Sequence, residues 1–547
     1  MTIHYKDKIF EVEKDSKIQD ILKEEIDKNK YTVIGAIFNN QYRRLDYKII
    51  QDGILELIDI STKQGMKIYR RTLIFIMAMA FAKVDSTIKL RVNYQLKNAM
   101  FCSLDNTEIT DELLEKVSKE MKSMVEKNMP IEEKLLTRKE AEELYERENS
   151  SKGRLQLDLK DNPIIRMYFC EDYYNYIYDD IAVNTGATQI FELVKYDNGF
   201  LLRYPDSQHP NELKPYKETR KLLWTLNEYN DIHRIFNVST VYQLNNIIKD
   251  KKELKKLIML EEALHEKKIA QIADKITKNK DVKMILIAGP SSSGKTTFAQ
   301  KLGLQLRING HKPVTISVDN YFVERPQTPR DQNGNYDFES IEAIDVELFN
   351  NDLKRLLNGE TIEYPEFDFQ VGTKRYKGKT MHLAEDEILV IEGIHCLNDR
   401  LTSLIAQNQK YKIYISDLTV LNRDRINRIS TTDTRLVRRI VRDHQFRGYT
   451  AQHTLKNWNN VNIGEEKNIF PFQEKADSMF NTSIIYELAA FKDVAIPLLQ
   501  EVKREEREYA EAQRIIEILR YFESIPNDMI PRNSLLKEFL GGGDFEY

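Results

Sequence analysis

The chain of 547 residues is too long for one compact core, because domains average about 150 residues and three to four are therefore expected. Apolar residues make up 41% and charged residues 31% of the chain, which is typical of globular proteins and excludes a collagen-like or broadly disordered chain. The net charge of −4 lacks the overall basic excess of a protein whose main work is to coat nucleic acid.

The cysteines and the apolar runs predict a cytoplasmic protein. Cys102, Cys170 and Cys396 are too few and too scattered for a disulfide framework or a zinc site built from cysteines. The longest apolar run, residues 73–82, is about half the length needed to cross a bilayer. Charged residues also occupy the N-terminal stretch where a signal peptide needs its apolar core. We therefore expect neither secretion nor a membrane partner.

The first half of the chain predicts two small domains and a helical linker. Apolar residues that alternate around a turn at 6–8, followed by a helical stripe and two strands, predict a β-grasp domain over residues 1–64. Residues 65–228 predict an α+β domain, and residues 229–280, rich in Glu, Lys and Leu, predict linker helices. The elements expected in the α+β domain are helices at 69–84 and 110–148 and strands at 189–196 and 199–204.

The second half predicts an α/β domain over residues 281–500. Short apolar runs alternate there with helical stretches, which is typical of a parallel sheet covered by helices on both faces. Residues 501–547 predict a charged helix over 501–521 and a tail whose last residues, 541–547, we expect to be frayed. The predicted strands are 284–288, 313–318, 388–391, 411–415 and 494–499.

A phosphate-binding loop is the strongest chemical signal in the sequence. It follows a predicted strand and precedes a predicted helix, and these two conditions make the motif specific. Glycines let the backbone turn its N–H groups toward phosphate oxygens, Lys295 reaches the β and γ phosphates, and Thr296 ligates magnesium. We expect a nucleoside triphosphate here. The loop comprises Gly289, Pro290, Ser291, Ser292, Ser293, Gly294, Lys295 and Thr296.

Two carboxylates follow predicted strands at the edge of the sheet where ligands of α/β proteins bind. Glu392 follows the run 388–391 and is placed to hold Mg²⁺ through water. The alternative is an acid that only solvates the end of an apolar strand. Asp319 follows the run 313–318, and a carboxylate there accepts the proton of an acceptor hydroxyl in phosphoryl transfer. The alternative for Asp319 is a strand-capping residue.

An arginine-rich stretch with helical spacing lies at residues 423–447. Arg435, Arg439 and Arg442 fall on one face at i, i+4 and i+7. Guanidinium groups suit phosphate oxygens, so this helix is interpreted as a lid that closes over the transferring phosphoryl group. A solvated or RNA-facing helix is the alternative.

Five motifs in order give residues 281–500 a family resemblance. The stretches GPSSSGKTT, SVDNYF, YDFESIEAID, VIEGIH and DTRLVRRIVRDHQFRG resemble the uridine kinase and phosphoribulokinase group of small-molecule kinases. The resemblance implies that Asp319 is the catalytic base and that Glu339 binds ribose. It also implies a homo-oligomer and ATP as phosphoryl donor. Further positions implied are Thr297 and Arg447 toward ATP, Lys295, Arg439 and Arg442 in catalysis, and Tyr321, Phe367, Arg439 and Asn457 toward the acceptor.

The acceptor positions depart from the uridine kinase pattern. Phe367 stands where those kinases have a tyrosine that stacks on the base, and Gly372 stands where they have a histidine that hydrogen-bonds it. Tyr449 replaces a further lid arginine. Sites built around polar contacts reject analogues strongly, so the loss of these contacts leaves the choice of acceptor open between uridine, cytidine, a purine nucleoside and a different sugar-like hydroxyl.

Residues 1–225 resemble the N-terminal region of threonyl-tRNA synthetase. The stretches YRRTLIFIMAMAFAKV and VNTGATQIFEL are similar to segments of its editing domain. Arg71 and Phe75 replace a His-x-x-x-His pair, and the second pair of metal ligands is missing around 177–181. Without those four ligands we expect no zinc-linked or deacylating chemistry, and we interpret this half as a regulatory, binding or oligomerising appendage.

The sequence therefore predicts an ATP-dependent kinase of a small-molecule hydroxyl, most simply the 5′-OH of a nucleoside. Two alternatives stay open: a nucleotide-regulated protein that binds RNA or the ribosome, and a kinase of a non-nucleoside, sugar-like substrate. A switch GTPase is disfavoured because no Asn-Lys-x-Asp motif follows the phosphate-binding loop.

Overall fold

The computed structural model describes residues 1–147, 164–330, 334, 336–368 and 371–546. Its N-terminal region contains a five-stranded sheet and two short helices. The strand order is β2-β1-β5-β3-β4, and β1 runs parallel to β5. Lys6, with φ 52°, makes the predicted turn between β1 and β2. The elements are β1 (Thr2–Tyr5), β2 (Lys8–Glu11), α1 (Ile18–Ile21), α2 (Lys23–Asp27), β3 (Val33–Phe38), β4 (Gln41–Arg43) and β5 (Gly53–Asp59).

Two antiparallel sheets and three helices follow. One sheet has the order β11-β12-β7-β6 and the other β10-β9-β8. The long helix α3 is buried along most of its length, as its apolar run predicts. The elements are α3 (Lys63–Val84), β6 (Leu90–Leu96), β7 (Ala99–Leu104), α4 (Asp111–Glu126), β8 (Glu132–Thr137), α5 (Arg138–Arg147), β9 (Ile164–Cys170), β10 (Tyr173–Asn175), β11 (Glu192–Tyr196) and β12 (Gly199–Arg203).

The single helix predicted over residues 110–148 is wrong. The helix α4 ends at Glu126, and Asn128 then takes a positive φ of 49° just before Pro130, which cannot continue a helix. The next residues form β8, whose backbone pairs with β9 over six residue pairs. Pairing with a distant strand therefore overrides the helical propensity of this charged stretch, and residue 148 lies outside the described residues.

Helices cover most of the predicted linker, residues 229–280, but the first of them begins earlier than predicted, at Arg220. They are α6 (Arg220–Ile235), α7 (Val241–Lys249) and α8 (Lys251–Lys278). Thr240 and Gln243 form a capping box at the start of α7, and the Asp250 carboxylate accepts from the Lys252 and Glu253 amides at the start of α8. The buried His233 ring contacts the Glu261 carboxylate at 2.9 Å and so joins α6 to α8.

A five-stranded, wholly parallel sheet forms the second half, in the order β14-β19-β13-β20-β21. All five residues of its central strand, MILIA, are buried. The sheet strands are β13 (Met284–Ala288), β14 (Lys312–Ser317), β19 (Glu387–Glu392), β20 (Lys410–Ser416) and β21 (Ser478–Asn481). The helices around it are α9 (Lys295–Ile308), α10 (Val346–Leu357), α11 (Thr431–Arg447), α12 (Ala451–Asn468) and α13 (Glu487–Gln500), and two small ribbons are formed by β15 (Ile362–Glu363), β16 (Glu366–Asp368), β17 (Thr373–Arg375) and β18 (Thr380–Met381).

The strand predicted at 494–499 is wrong, because those residues belong to α13. Phe491, Ala495, Leu498 and Leu499 are buried at helical spacing on one face of that helix. The fifth strand is instead β21, a stretch of four residues that lies beside β20. A run so short carries too little periodicity to distinguish a strand from a loop.

The tail packs against the second half and is not frayed over the residues that the structure describes. Its charged helix is shorter than predicted, α14 (Tyr509–Arg520), and a four-residue helix, α15 (Lys537–Leu540), follows. Near the end of the chain, the Gln300 side-chain amide donates to the Glu546 carbonyl at 2.7 Å. No helix within the described ranges is both long and apolar enough to cross a membrane.

A loop before α11 joins the two halves of the chain. The Val92 N–H donates to the Arg425 carbonyl at 2.8 Å, and the Asn422 side chain returns a bond to the Val92 carbonyl at 2.9 Å. The Arg423 guanidinium is fully buried and lies 3.3 Å from the ring centre of Tyr521. Two further tyrosines, Tyr176 and Tyr178, complete the aromatic enclosure of that guanidinium.

Replacing Arg423 with alanine should lower the apparent Tm by roughly 5 °C or more, because the change empties an aromatic enclosure between the halves. The matched control is Arg425→Ala, whose side chain is partly exposed and makes only a long ion pair with Asp105 at 3.8 Å. Thermal unfolding followed by circular dichroism measures both. Equal Tm values for the two variants would contradict a stabilising role for the enclosure.

Candidate active site

The phosphate-binding loop joins β13 to α9 with the geometry that its sequence predicts. Gly294 has φ +82° and precedes the first helical residue, Lys295. The first backbone bond within α9 runs from Phe298 N to Gly294 O at 3.0 Å, so the N–H groups of residues 295–297 point out of the helix. A Cβ on Gly289 would overlap the Ile415 carbonyl of β20, so this position requires glycine.

The side chain of Lys295 folds back over the loop. Its ammonium donates to the Gly289 carbonyl at 3.0 Å and to the Pro290 carbonyl at 3.1 Å. Burial lowers the pKa of Lys295, and the Glu392 carboxylate acts in the opposite direction. A cation so placed is positioned to meet an anionic ligand of the loop.

Helices α11 and α12 contribute side chains that touch the loop. The Ser291 N–H donates to Glu465 Oε1 at 2.8 Å, and Arg439 donates to the Ser291 hydroxyl at 2.7 Å. The Arg438 guanidinium donates to the Ser292 carbonyl at 3.4 Å. A carboxylate and two guanidinium groups of these helices therefore hold the loop.

The two predicted carboxylates lie at neighbouring strand ends beside the loop. Glu392 ends β19, next to Ile287 of β13 on one side and Ser317 of β14 on the other. Asp319 lies two residues beyond the end of β14, in a short 3₁₀ helix, and is accessible to solvent. Desolvation raises the pKa of both carboxyl groups, and Lys295 opposes the shift in each case.

The oxygen ligands at this edge fit a magnesium ion. Glu392 Oε2 is buried and has no hydrogen-bond partner among the described residues, and the Thr296 side chain lies close enough to influence its pKa. Carboxylate and hydroxyl oxygens are the protein ligands that Mg²⁺ takes, with phosphates and waters completing its shell. No group of three His, Cys, Asp or Glu side chains suited to a metal is found over the described ranges. Thr296 and Glu392 are the side chains at this edge whose oxygens suit Mg²⁺.

The arginine-rich stretch divides into buried and site-facing members. Arg435 pairs with Glu465 and Arg438 with Glu487, each at 2.5 Å and each fully enclosed in protein. These two guanidinium groups are committed to carboxylates of α12 and α13. Arg423 is likewise buried, so neither an all-solvated helix nor one continuous RNA-facing stripe describes these residues.

The three arginines predicted to reach ligand converge on Asp443. Arg439, Arg442 and Arg447 lie at 3.2, 2.8 and 3.4 Å from its carboxylate oxygens. Burial lowers the pKa of Arg439 and of Arg447, and the neighbouring guanidinium of Arg442 adds to the shift in both cases. One carboxylate therefore holds three cations together beside the loop, which leaves positive charge for an anionic ligand.

The residues predicted to bind the acceptor are placed unequally. Glu339 packs against Gly464 of α12, where an added Cβ would lie 2.9 Å from its Cγ, and burial and the Glu465 charge raise its pKa. Phe367 packs on Phe322 with ring centres 5.5 Å apart. The Phe367 N–H donates to the side chain of Asn320, the neighbour of Asp319, at 3.3 Å, and Glu339 lies within electrostatic reach of Lys295.

Two predicted acceptor residues have other partners. The Tyr321 hydroxyl donates to Asp352 at 3.1 Å in the interior of the domain. Asn457 is partly buried on α12 and donates to the His453 carbonyl of its own helix at 2.9 Å. The hydrogen bonds described for these two polar groups are thus made to Asp352 and His453, and not to the phosphate-binding loop.

Glu465, Asp443 and Glu538 are the residues around the loop that sequence reasoning missed. The Glu538 carboxylate accepts from the Thr297 N–H at 3.1 Å and from its hydroxyl at 2.7 Å. Acidic residues within helices, as in GEEK around Glu465, do not differ by pattern from solvated ones. Only their burial beside arginines distinguishes them.

A phosphate-binding loop on a parallel sheet, flanked by strand-end carboxylates and clustered arginines, defines a P-loop kinase. The sequence model of the phosphoribulokinase / uridine kinase family matches residues 284–486. A uridine kinase of Macrococcus caseolyticus is 30% identical over 173 residues, which cover 31% of this chain and 74% of that protein. The chain belongs to the phosphoribulokinase / uridine kinase family, as the motifs of its second half predict.

Two further relatives cover the two halves. A uridine kinase of Chlamydia pneumoniae is 29% identical over 195 residues, covering 36% of this chain and 79% of that protein. A threonine–tRNA ligase of Clostridium kluyveri is 28% identical over 189 residues of the N-terminal part, covering 34% of this chain and 30% of the ligase. The predicted resemblance of the first half to the synthetase is therefore confirmed.

Replacing Gly294 with alanine should abolish most nucleotide binding, because a Cβ there is strained by the positive φ and would lie 2.8 Å from Leu535 Cδ2. The control is Gly310→Ala, which has a similar φ of +88° but no atom within 4 Å of the added Cβ. Gly310→Ala should lose about 1–2 kcal/mol of stability and keep binding, whereas Gly294→Ala should lose at least as much stability and also lose binding. Titration with a fluorescent ADP analogue checks this, and equal binding by both variants would contradict it.

Proposed function

We propose that the protein transfers the γ-phosphoryl group of ATP to a hydroxyl group of a small molecule, the 5′-OH of a nucleoside. The observation that carries the proposal is the position of Asp319 beside the phosphate-binding loop, at the end of the strand next to β19, where Lys295 influences its pKa. A carboxylate at this point accepts the proton of the attacking hydroxyl. The acceptor oxygen then forms its bond to phosphorus as the bond to the ADP oxygen breaks.

The remaining side chains of the site position and neutralise charge. The outward-pointing amides of the loop bind phosphate oxygens, with residues 289–297 as the ATP-binding set. Lys295 and the arginines held by Asp443 stabilise the charge of the transferring group. Mg²⁺, when bound, neutralises the β and γ phosphates, and Thr296 and Glu392 are the residues that would hold it.

A nucleoside acceptor is supported by the relatives named uridine kinase and by Glu339 at the ribose position that the resemblance implies. Selectivity for pyrimidines has less support. Gly372 has φ +81°, and a Cβ there would lie close to the Arg325 side chain, so the histidine of uridine kinases does not fit this loop. A sugar-like acceptor without a base is the second candidate that this departure favours.

The first half of the chain contributes, in this proposal, a binding or regulatory domain without metal chemistry. Arg71 occupies the first of the former ligand positions and pairs with Asp179 at 2.7 Å, while its Nε donates to the Asp180 carbonyl at 2.9 Å. An ion pair thus replaces the metal ligands. The proposal includes domain divisions near residues 64, 228, 280 and 500, a homo-oligomer that light scattering tests, and a cytoplasmic location that the three free cysteines fit.

The Asp319→Asn variant should lose about 10²- to 10⁴-fold in kcat, because the acceptor hydroxyl loses its base, and should bind ADP nearly as tightly as the wild type. The matched control is Asp386→Asn, a carboxylate paired with Lys312 at the surface. A coupled ADP-release assay measures turnover. Wild-type kcat for Asp319→Asn would remove the assignment of the base.

As the pH is lowered, kcat/KM should begin to fall at a higher pH than it would if Asp319 had the pKa of an ordinary aspartate. Desolvation raises the pKa of Asp319, and only its deprotonated form accepts a proton, so activity is lost as the pH falls through that raised pKa. The pH profile of kcat/KM measures the effect. An acidic limb no higher than the usual aspartate pKa of about 3.9 would contradict the prediction.

The choice of acceptor is tested by ADP release from ATP and Mg²⁺ with a panel of nucleosides, ribose derivatives and a control without acceptor. Stimulation by one nucleoside class supports the proposal, and stimulation by ribose derivatives alone favours the sugar-like acceptor. Absence of stimulation by every acceptor, with ADP still bound, would overturn the nucleoside kinase proposal and favour a nucleotide-gated binding role.

A further inference from the structure

The C-terminal segment, residues 531–546, lies directly on the phosphate-binding loop. Leu535 and Phe539 are fully buried, and Leu535 fills the space beside Gly294. The Arg438 guanidinium lies 5.1 Å from the ring centre of Phe539. The same guanidinium donates to the Ser292 carbonyl of the loop. The segment follows residue 486, where the family match ends, so it adds its own contacts to the family's site.

Glu538 of this segment places a carboxylate at the first turn of α9. One oxygen, Oε2, accepts from both the N–H and the hydroxyl of Thr297, and both residues are at least nine-tenths buried. Thr297 is the third residue of α9, so its N–H has no acceptor within the helix. This N–H belongs to the set of donors that a P-loop offers to nucleotide phosphates.

A carboxylate and a phosphate compete for such donors because both are anionic oxygen acceptors attracted by a helix N-terminus. Glu538 also lies within electrostatic reach of Lys295 and Glu392. A polyphosphate bound to Lys295 would therefore meet a negative charge at Thr297 unless Glu538 moved away.

We propose that Glu538 is an internal competitor of the nucleotide: it occupies the Thr297 donors before nucleotide binds, and nucleotide phosphates displace it together with the segment around α15. The proposal rests on the proposed function, since it assumes that the loop binds a nucleotide. It makes the C-terminal segment a determinant of nucleotide affinity, and the nucleotide a determinant of how tightly that segment is held.

The first test compares ADP–Mg²⁺ binding by the full-length wild type, Glu538→Gln and the control Glu517→Gln, in calorimetric titrations. Glu517 is an exposed carboxylate paired with Arg520 on α14. Glutamine keeps the size of Glu538 but removes the charge, so Glu538→Gln should bind ADP about tenfold more tightly, with Glu517→Gln unchanged. Unchanged or weaker binding by folded Glu538→Gln would overturn the proposal.

The second test needs no variant and decides the matter if Glu538→Gln fails to fold. Hydrogen exchange of peptides within residues 531–546 is measured on the wild type with and without saturating ADP–Mg²⁺. The proposal expects faster exchange with ADP bound, whereas unchanged or slower exchange would overturn it. Failure of the proposed function is distinct: neither wild type nor Glu538→Gln would then bind ADP, which removes both proposals.

Discussion

Backbone N–H groups at the start of α9 have no acceptors within their helix, and the rest of the site is arranged around that deficit. The parallel sheet fixes where these groups lie, because β13 leads directly into the loop. The neighbouring strand β20 also approaches the loop closely at Gly289. Carboxylates from two other elements, Glu465 and Glu538, supply acceptors at opposite ends of the loop. Arginines in turn neutralise those carboxylates: Arg435 pairs with Glu465, and Arg438 lies within electrostatic reach of Glu538.

The helix α11 serves two purposes with its two faces. Its inner arginines, Arg435 and Arg438, are paired with buried carboxylates of α12 and α13, which fixes α11 against these two helices. Its outer arginines share one carboxylate, Asp443, and so keep a net positive charge beside the loop. An anionic ligand would neutralise the positive charge that remains on that face.

The elements that carry strong local signals were predictable from the sequence. The phosphate-binding loop, four of the five parallel strands and the linker helices follow from motif and periodicity. The short strand β21 and the strand β8 were not, because pairing with distant strands creates them. The site residues Glu465 and Glu538 were equally hidden, since their partners lie 174 and 241 residues away along the chain. The roles given to the site residues stay predictions.

The loop between β20 and α11 gives the two halves a mutual dependence. Asn422 donates to the Val92 carbonyl, Asn427 donates to the Tyr176 carbonyl, and Arg423 is enclosed by tyrosines of both halves. A fragment beginning at residue 281 would expose that guanidinium and leave these amides without their acceptors. In this chain the stability of the kinase region therefore depends in part on contacts that the synthetase-like region supplies.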